Sequence, residues 1–412
     1  MAESLVIIDG VRTAFCKAGS ELAGLAADEL GRIAVDALLT RTGFDPAVVD
    51  EVIFGCVCQP VDAANVARVI ALRAGLPETA PAATVHRNCA SGFEAVTTAA
   101  ERVLSGHGSV FIVGGTESMS QVPLLYSESA ARKFAALARA RNASAKFAAL
   151  SAFRPADFKP RIALKMGLTD PISALNMGET AEILAREFKI SREQQDAFAL
   201  RSHERAIAAR AVIGEEICPV YLPGGKMGHP VLRDNGPRAD ESQAMLARLK
   251  PVFDRRHGSV TAGNSSQITD GAVALLVMAE SRAAELGLKP LGRLAAWAYT
   301  GCDPARMGLG PVPAIRKLGQ AAGKAPGEVD LIEINEAFAA QVLAVLQSLG
   351  DVPEDRLNVN GGAIALGHPV GATGARLTLT GLKELARRGG RWAIVSACVG
   401  GGQGAALLLE GL

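Results

Sequence analysis

The sequence predicts the α/β class: a mostly parallel sheet covered by helices, present in two copies, one of them interrupted by a long helical excursion. Three observations carry this expectation. Between Leu5 and Gly114, short apolar runs alternate with helical patterns, as in parallel strands joined by crossover helices. Gly43, Pro46, Val49 and Asp50 recur as Gly323, Pro326, Val329 and Asp330 at one offset of 280 residues, and the elements that follow recur in the same order. The stretch 121–250 has few strand-like runs and is richer in charge and turn residues than its flanks.

In chain order, Leu5 to Asp9 reads as a first strand. Asp28 to Thr40 reads as an amphipathic helix, with Asp28 as N-cap and Gly43 as its stop. Glu51 to Cys56 is a buried-type strand, and Asn65 to Ala74 a helix ended by Gly75. Ala83 to Val85 is short, β-prone and leads straight into Asn88-Cys89. Gly92 to Leu104 is a small-residue helix, followed by the apolar strand Ser109 to Gly114. Within the excursion, Ala130 to Ala152 reads as one basic helix, and Met177 to Phe188 and Ser191 to Ala211 as two more. Ser191 with Gln194 is a capping-box pattern. Gly224-Gly225 and Asn235-Gly236-Pro237 read as turns. The strand pattern resumes near Val260, with Ala272 to Met278. In the final third, Gly374 to Arg388 matches the helix 92–104, and Trp392 to Ala397 matches the strand 109–114. Duplication places the loop of Cys89 and the loop of Gly367-His368 at equivalent points, where a pseudo-twofold axis would bring them together. Sites often form between such halves.

With 412 residues, 49% apolar and 21% charged, the chain is long enough for two or three domains of a soluble globular protein. The net charge of +1 gives no global field for nucleic acid. No stretch reads as a signal peptide, and no apolar run approaches the roughly 20 residues of a membrane span. Seven scattered cysteines make no disulfide framework and point to a reducing compartment, the cytoplasm or another. Cys56-Val57-Cys58 lacks partners at zinc-ligand spacing and reads as alternating strand residues, so no metal site is expected. Cys16, Cys218 and Cys302 read as small apolar residues.

Two stretches carry chemistry. In Asn88-Cys89-Ala90-Ser91-Gly92 the cysteine opens a helix, where free N–H groups and the dipole favour a thiolate. The same pentapeptide also fits a buried cysteine at a strand–helix turn. His368 lies in a loop dense in glycine with Pro369, and its imidazole could take the thiol proton. The spacing fits neither a P-loop nor GxGxxG. Cys398 ends an apolar strand and opens the run Gly400-Gly401-Gly402, whose N–H groups could face an oxyanion. The Cys398 thiol could exchange a proton with a nearby carbon. Asn335, in Asn335-Glu336-Ala337-Phe338, could hold a water or simply cap the next helix. The remaining histidines, 86, 107, 203, 229 and 257, read as structural or solvated.

Together Asn-Cys-Ala-Ser-Gly, Asn-Glu-Ala-Phe, Gly-His-Pro and Cys-x-Gly-Gly-Gly-x-Gly, in this order, make the chain resemble the thiolases, the acetyl-CoA acyltransferase group. The similarity runs from Val11-Arg12-Thr13 to Gly404. It implies two like α/β halves in five layers, αβαβα, with a loop domain inserted in the first. The division expected is 1–120 and 251–280 for the first half, 121–250 for the loop domain and 281–412 for the second half. The resemblance implies that Cys89 takes the acyl group, that His368 activates it, and that Cys398 is acid and base at the α-carbon. Asn335 would orient an oxyanion-hole water, and the N–H groups of Cys89 and Gly400 would form a second hole. Ser266 matches a serine near the pantetheine, Arg238 an arginine near the adenine end, and Met177 and Phe338 residues lining the acyl site. Coenzyme A and acyl-CoA would be substrates, with no permanently bound cofactor.

The activity implied is interconversion of 3-ketoacyl-CoA plus CoA with acyl-CoA plus acetyl-CoA, in fatty-acid β-oxidation, by a homodimer or homotetramer. Biosynthetic formation of acetoacetyl-CoA is the alternative. A decarboxylating condensing enzyme would not need Cys398, and a non-catalytic lipid-binding or assembly subunit would not need all four catalytic positions filled. The segment 127–165 resembles the loop of thiolase subunits of β-oxidation complexes, which usually have His in place of Asn335. It holds nine cations against Glu128 and Asp157, interleaved with Phe134, Leu137, Phe147, Leu150 and Phe153. Three readings stand: a solvated helix, a dock for a partner subunit or anionic membrane, or an attractor of the CoA phosphates.

Overall fold

The computed structural model describes residues 3–222, 229–350 and 352–412. The expected Gly224-Gly225 turn lies outside them. The first part of the chain forms β1 (Leu5–Arg12), the short β2 (Cys16–Lys17), α1 (Ala27–Thr42), β3 (Glu51–Gly55), α2 (Val66–Arg73), β4 (Ala82–Val85), α3 (Ser91–Leu104) and β5 (Val110–Glu117). The excursion holds β6 (Leu124–Leu125), α4 (Glu128–Arg139), α5 (Ala143–Ser151), β7 (Arg161–Ile162), α6 (Ala163–Gly167), α7 (Met177–Glu187), α8 (Arg192–Ala208), α9 (Arg210–Gly214) and α10 (Gln243–Ala247). The chain returns through β8 (Thr269–Ala279) and α11 (Glu280–Glu285). It continues with β9 (Gly292–Gly301), α12 (Pro311–Ala322), β10 (Leu331–Ile334), α13 (Ala339–Leu349), α14 (Ala363–Leu366), α15 (Thr373–Arg388), β11 (Trp392–Val399) and β12 (Gln403–Gly411).

The strand order β10-β11-β12-β9-β1-β8-β5-β3-β4 reads as two matching sheets joined between β9 and β1, where only two residue pairs meet. The alternation of side chains along a strand assigns the layers. Phe111, Val113, Val273 and Leu275 face inward with Ala95, Val96 and Ala99 of α3, Leu379 and Leu382 of α15, and Val395 and Leu407 of the other sheet. Val110, Ile112, Ala274 and Leu276 face outward onto Leu30, Ala34 and Ile70 of α1 and α2. Ile332, Ile394 and Leu408 face outward onto Ile315 of α12 and Val342 of α13. The order is therefore helices, sheet, the pair α3 and α15, sheet, helices. Strands buried on both faces explain runs such as Val110-Phe111-Ile112-Val113.

The repeat is visible in hydrogen bonds. Gly43 and Gly323 end α1 and α12 with φ of 61° and 63°. Asp50 accepts from the N–H groups of Ser109 and Val110 at 2.7 and 2.9 Å. Asp330 accepts from those of Arg391 and Trp392, both at 2.9 Å. α3 and α15 begin 282 residues apart, at Ser91 and Thr373, as do β5 and β11, at Val110 and Trp392.

Three expectations need correction. The sheet is mixed rather than mostly parallel: β3–β4, β3–β5 and β10–β11 are parallel, but β8 returns antiparallel between β1 and β5. Likewise β12 follows β11 antiparallel after a tight glycine turn, because so short a connection cannot reverse into a parallel neighbour. The basic helix is two, α4 and α5, because Asn142 caps a fresh start by accepting from the Ala145 N–H at 2.8 Å. Asp28 is not the N-cap of α1. Ala26 takes that place, and Asp28 turns inward to pair with Arg73. The capping box of Ser191 and Gln194 forms as the spacing requires.

α3 and α15 cross backbone to backbone. A Cβ on Gly92 would lie 2.5 Å from the Ala375 nitrogen, and one on Gly374 2.3 Å from the Phe93 nitrogen. An exposed helical Gly→Ala change stabilises by about 1 kcal/mol. Gly92→Ala is instead expected to destabilise by about 1–3 kcal/mol, because backbone cannot yield as a side chain can. Thermal unfolding checks the sign; an unchanged or raised Tm would contradict the close crossing.

Candidate active site

Cys89 stands between β4 and α3. The turn before it needs Asn88 in the left-handed region, φ 43°, which asparagine tolerates better than most residues. The Asn88 amide donates to the Gly400 carbonyl at 2.8 Å, tying the Cys89 turn to the β11–β12 turn of the other half. That turn reverses through Gly401 and Gly402, φ 86° and 79°, a region costly for other residues. The N–H groups of Gly400 and of Cys89 itself face the Cys89 sulfur and favour its thiolate, but burial outweighs them and holds the thiol above its ordinary pKa. Cys398 is buried among Met177, Met307 and Phe338. Burial, then the neighbouring Cys89 and Cys302, push its thiol well up. Both thiols rest protonated.

His368 is buried, and its hydrogen bonds favour one tautomer. With the Thr373 hydroxyl donating to the Pro369 carbonyl at 2.9 Å, it accepts at 2.6 Å from Nδ1. Nδ1 therefore carries the proton and Nε2 the lone pair. Asn335 Nδ2 lies 3.4 Å from Nε2 and donates to it. Burial first, then the charge of Arg376, lowers the imidazole pKa to about 4, so it is neutral at physiological pH and fit to act as a base. Asn335 is fully buried at the end of β10, and its Oδ1 has no partner among the described residues.

Behind these groups, Glu336 accepts from Ser202 Oγ at 2.6 Å, Asn358 Nδ2 at 2.9 Å and the Ile364 N–H at 3.2 Å. It thereby fastens α8 and α14 to the strand end that carries Asn335.

A cavity of about 670 Å³ reaches His368. Five of the residues singled out in the sequence line it: His368, Met177, Phe338, Ser266 and Arg238. Cys89, Cys398, Asn335 and Gly400 are not lining residues; they join through the bonds and packing just described. Arg238 is half exposed and pairs with Glu241 at 3.3 Å. Three residues were missed. His203, read as structural or solvated, lines the cavity and accepts from the Arg238 N–H at 3.3 Å; burial lowers its pKa, and a lone histidine in a charged helix carries no sequence signal. Thr373 and Glu117 were also missed. A carboxylate ending the strand Val110-Phe111-Ile112-Val113-Gly114-Gly115-Thr116-Glu117 was a readable anomaly. Cys56-Val57-Cys58 is not strand: it follows the end of β3 and wraps round Glu117.

The models of the thiolase N-terminal and C-terminal domains match residues 5–281 and 288–411. The 3-ketoacyl-CoA thiolase of Serratia proteamaculans is 40% identical over 427 aligned positions, covering 99% of this chain and 97% of that protein. The acetyl-CoA acetyltransferase of Allochromatium vinosum is 42% identical, with both chains fully covered. Among solved structures, the acetyl-CoA acetyltransferase of Bacillus anthracis superposes with a TM-score of 0.90 at 39% identity, covering 100% of this chain and 99% of that one. Human mitochondrial 3-ketoacyl-CoA thiolase in complex with CoA gives 0.89 at 37%, covering 100% and 98%. With both domain models matched across nearly its whole length, the chain belongs to the thiolase family.

Proposed function

We propose that this thiolase, an acyltransferase acting on CoA thioesters, works through a Cys89 acyl-enzyme and cleaves 3-ketoacyl-CoA in fatty-acid β-oxidation. The observation that supports it is the meeting of two protonated thiols from opposite halves at one glycine turn, with a neutral imidazole on the cavity that Met177 and Phe338, packed with Cys398, also line. His368 Nε2 takes the Cys89 proton as sulfur attacks the ketone carbon. The N–H groups of Cys89 and Gly400 hold the oxyanion. As that carbon collapses to the thioester, the carbon–carbon bond breaks and its electrons pass to the acetyl-CoA enolate. The Cys398 S–H protonates the α-carbon. The enolate oxygen is held by the protonated His368 and by a water on Asn335, whose Oδ1 is free to accept. CoA then gives its thiol proton to the Cys398 thiolate and attacks the acyl-enzyme, and the Cys89 thiolate that leaves takes back the proton held by His368, restoring both thiols and the neutral imidazole. Coenzyme A is a substrate here. Ser266 and Arg238 would contact its pantetheine and adenine ends, and Met177 and Phe338 the acyl group. The second reading, condensation to acetoacetyl-CoA, is favoured by the relatives that carry the acetyltransferase name. A reducing compartment such as the cytoplasm fits the free state of all seven cysteines.

Two assembly features extend this reading. β4, which leads into Cys89, is half-buried, with β3 as its one strand neighbour among the described residues, an open edge suited to a second copy of the chain. The arm from β6 to α6 is the better dock for a different partner. Tyr126, Phe134, Phe153 and Phe158 cluster with ring centroids 4.9–6.3 Å apart. Phe147 and Leu150 stay exposed, at 74% and 55%. None of the nine cations of 127–165 lines the cavity, whereas Lys17 and Arg238 do. That weighs against a phosphate role and for an outward surface, here assigned to anionic lipid.

Cys398→Ala is expected to leave Cys89 acylation by acyl-CoA intact while thiolysis of short and long 3-ketoacyl-CoAs falls by roughly 10²–10⁴. His368→Ala is expected to lose acylation itself. Near-normal thiolysis by Cys398→Ala would count against its proton-transfer role.

For the arm, the parent is expected to bind phosphatidylserine vesicles in a salt-sensitive way. A variant neutralised at Arg132, Arg139, Arg141 and Lys146 is expected to lose that binding while keeping kinetics and light-scattering mass. Absence of vesicle binding in the parent, or a raised KM for CoA in the variant, would overturn the lipid assignment.

A further inference from the structure

We propose that Glu117 is a positioning residue for acyl transfer, holding the loop of His368 against the first half through the Gly371 N–H; this rests on the thiolase reading above.

Glu117 ends β5 and is fully buried. Its Oε2 accepts from the Gly371 N–H at 2.9 Å and the Val57 N–H at 3.2 Å. Its Oε1 accepts from the Cys58 N–H at 2.8 Å, with Cys56 Sγ at 3.8 Å. Gly371 lies between His368 and Thr373, the residue that orients the imidazole through Nδ1. One carboxylate therefore joins the loop after β3 to the loop that presents the base.

The repeat explains why this tie is special. At the 282-residue spacing, Gly371 stands where Cys89 stands in the first half, and Val399 stands where Glu117 does. In the second half, the strand end just beyond Val399 offers the Gly400 N–H to Cys89. In the first half, the matching strand end offers the Glu117 carboxylate to Gly371. Each half thus steadies the helix-start loop of the other, one with a donor and one with an acceptor.

The contact leaves little slack. A Cβ on Gly371 would lie 2.7 Å from the Thr116 oxygen and 2.8 Å from the Gly55 oxygen, and one on Gly115 1.9 Å from the Gly371 oxygen. Three N–H groups converge on one point, and a carboxylate can accept them all. An amide cannot, because its NH₂ would meet a donor. Holding this charge in the core is costly, and burial raises the Glu117 pKa to about 7. The groups that feel its charge are the thiols of Cys56, Cys58 and Cys89. Asp28, paired with Arg73, lies beyond Cys56. A raised carboxylate pKa means that the folded state binds the proton more tightly, so the charge costs stability as pH rises from the ordinary carboxylate range towards 7.

The test compares the full-length parent with Glu117→Gln, which removes the charge, and Glu117→Asp, which keeps it on a shorter stem. Acetoacetyl-CoA thiolysis, the KM for CoA, the Tm and the nitrogen NMR signals of the His368 imidazole are measured. Both variants are expected to lose roughly tenfold to a hundredfold in kcat, the scale of a slightly misplaced catalytic group. KM for CoA is expected to stay within about twofold on the same reasoning, with little change in Tm for Glu117→Gln. The Nδ1–H tautomer signal of His368 is expected to weaken in both. An unchanged kcat and imidazole signal in a folded variant would overturn the proposal. So would a kcat loss that only follows a falling Tm. If the parent itself turns over neither acetoacetyl-CoA nor a long 3-ketoacyl-CoA, the thiolase reading fails, and the His368 signal still decides the positioning role.

Discussion

The close crossing of α3 and α15 at Gly92 and Gly374 is the constraint on which the site depends. Both helices start at loops that carry chemistry, Cys89 before α3 and His368 before α15. Side chains at the crossing would separate the helices and, with them, the two loops. Bare backbone there lets one half's nucleophile lie beside the other half's turn, as the bond from Asn88 to Gly400 records. The same economy recurs where Gly115 meets Gly371 and where Gly310 meets Gly404, whose absent Cβ atoms would lie 1.9 and 1.8 Å from backbone oxygens. The scarcity of aromatics, 4% of the chain, follows from a core in which helices and strands approach this closely.

The electrostatics of the site follow from its burial. Burial holds Cys89 and Cys398 as thiols and His368 as neutral imidazole. None of these three groups is ionised in advance of substrate, so proton transfers occur together with bond making, where fixed N–H groups are worth most. The charges that are present lie just behind. Arg376 pairs with Glu333 in the core and helps keep the His368 ring deprotonated. The resting site is therefore uncharged but framed by fixed dipoles and a buried ion pair.

Much of this was legible in the sequence, for identifiable reasons. Gly43 and Gly323 betrayed the repeat because a helix ending in the left-handed region demands glycine. Cys89, His368 and Cys398 were visible because reactive side chains stood among glycines. Strand direction was not visible. Whether β8 runs with or against β5 depends on where the excursion releases the chain, which local pattern does not encode. The break between α4 and α5 was signalled only by Asn142 within an alanine-rich run, a weak mark against a strong helical background. Glu117 and His203 went unread because their importance lies in partners more than 30 residues away, Gly371 and Arg238.

The central claim is that Cys89, and no other thiol, receives the acyl group across the pseudo-twofold. Mass spectrometry of peptides after brief exposure to acetyl-CoA tests it most directly. The account expects one acetyl group, on the peptide containing Cys89, with Cys398 and Cys302 unmodified. Acetylation at Cys398 or Cys302 with Cys89 left free would contradict it.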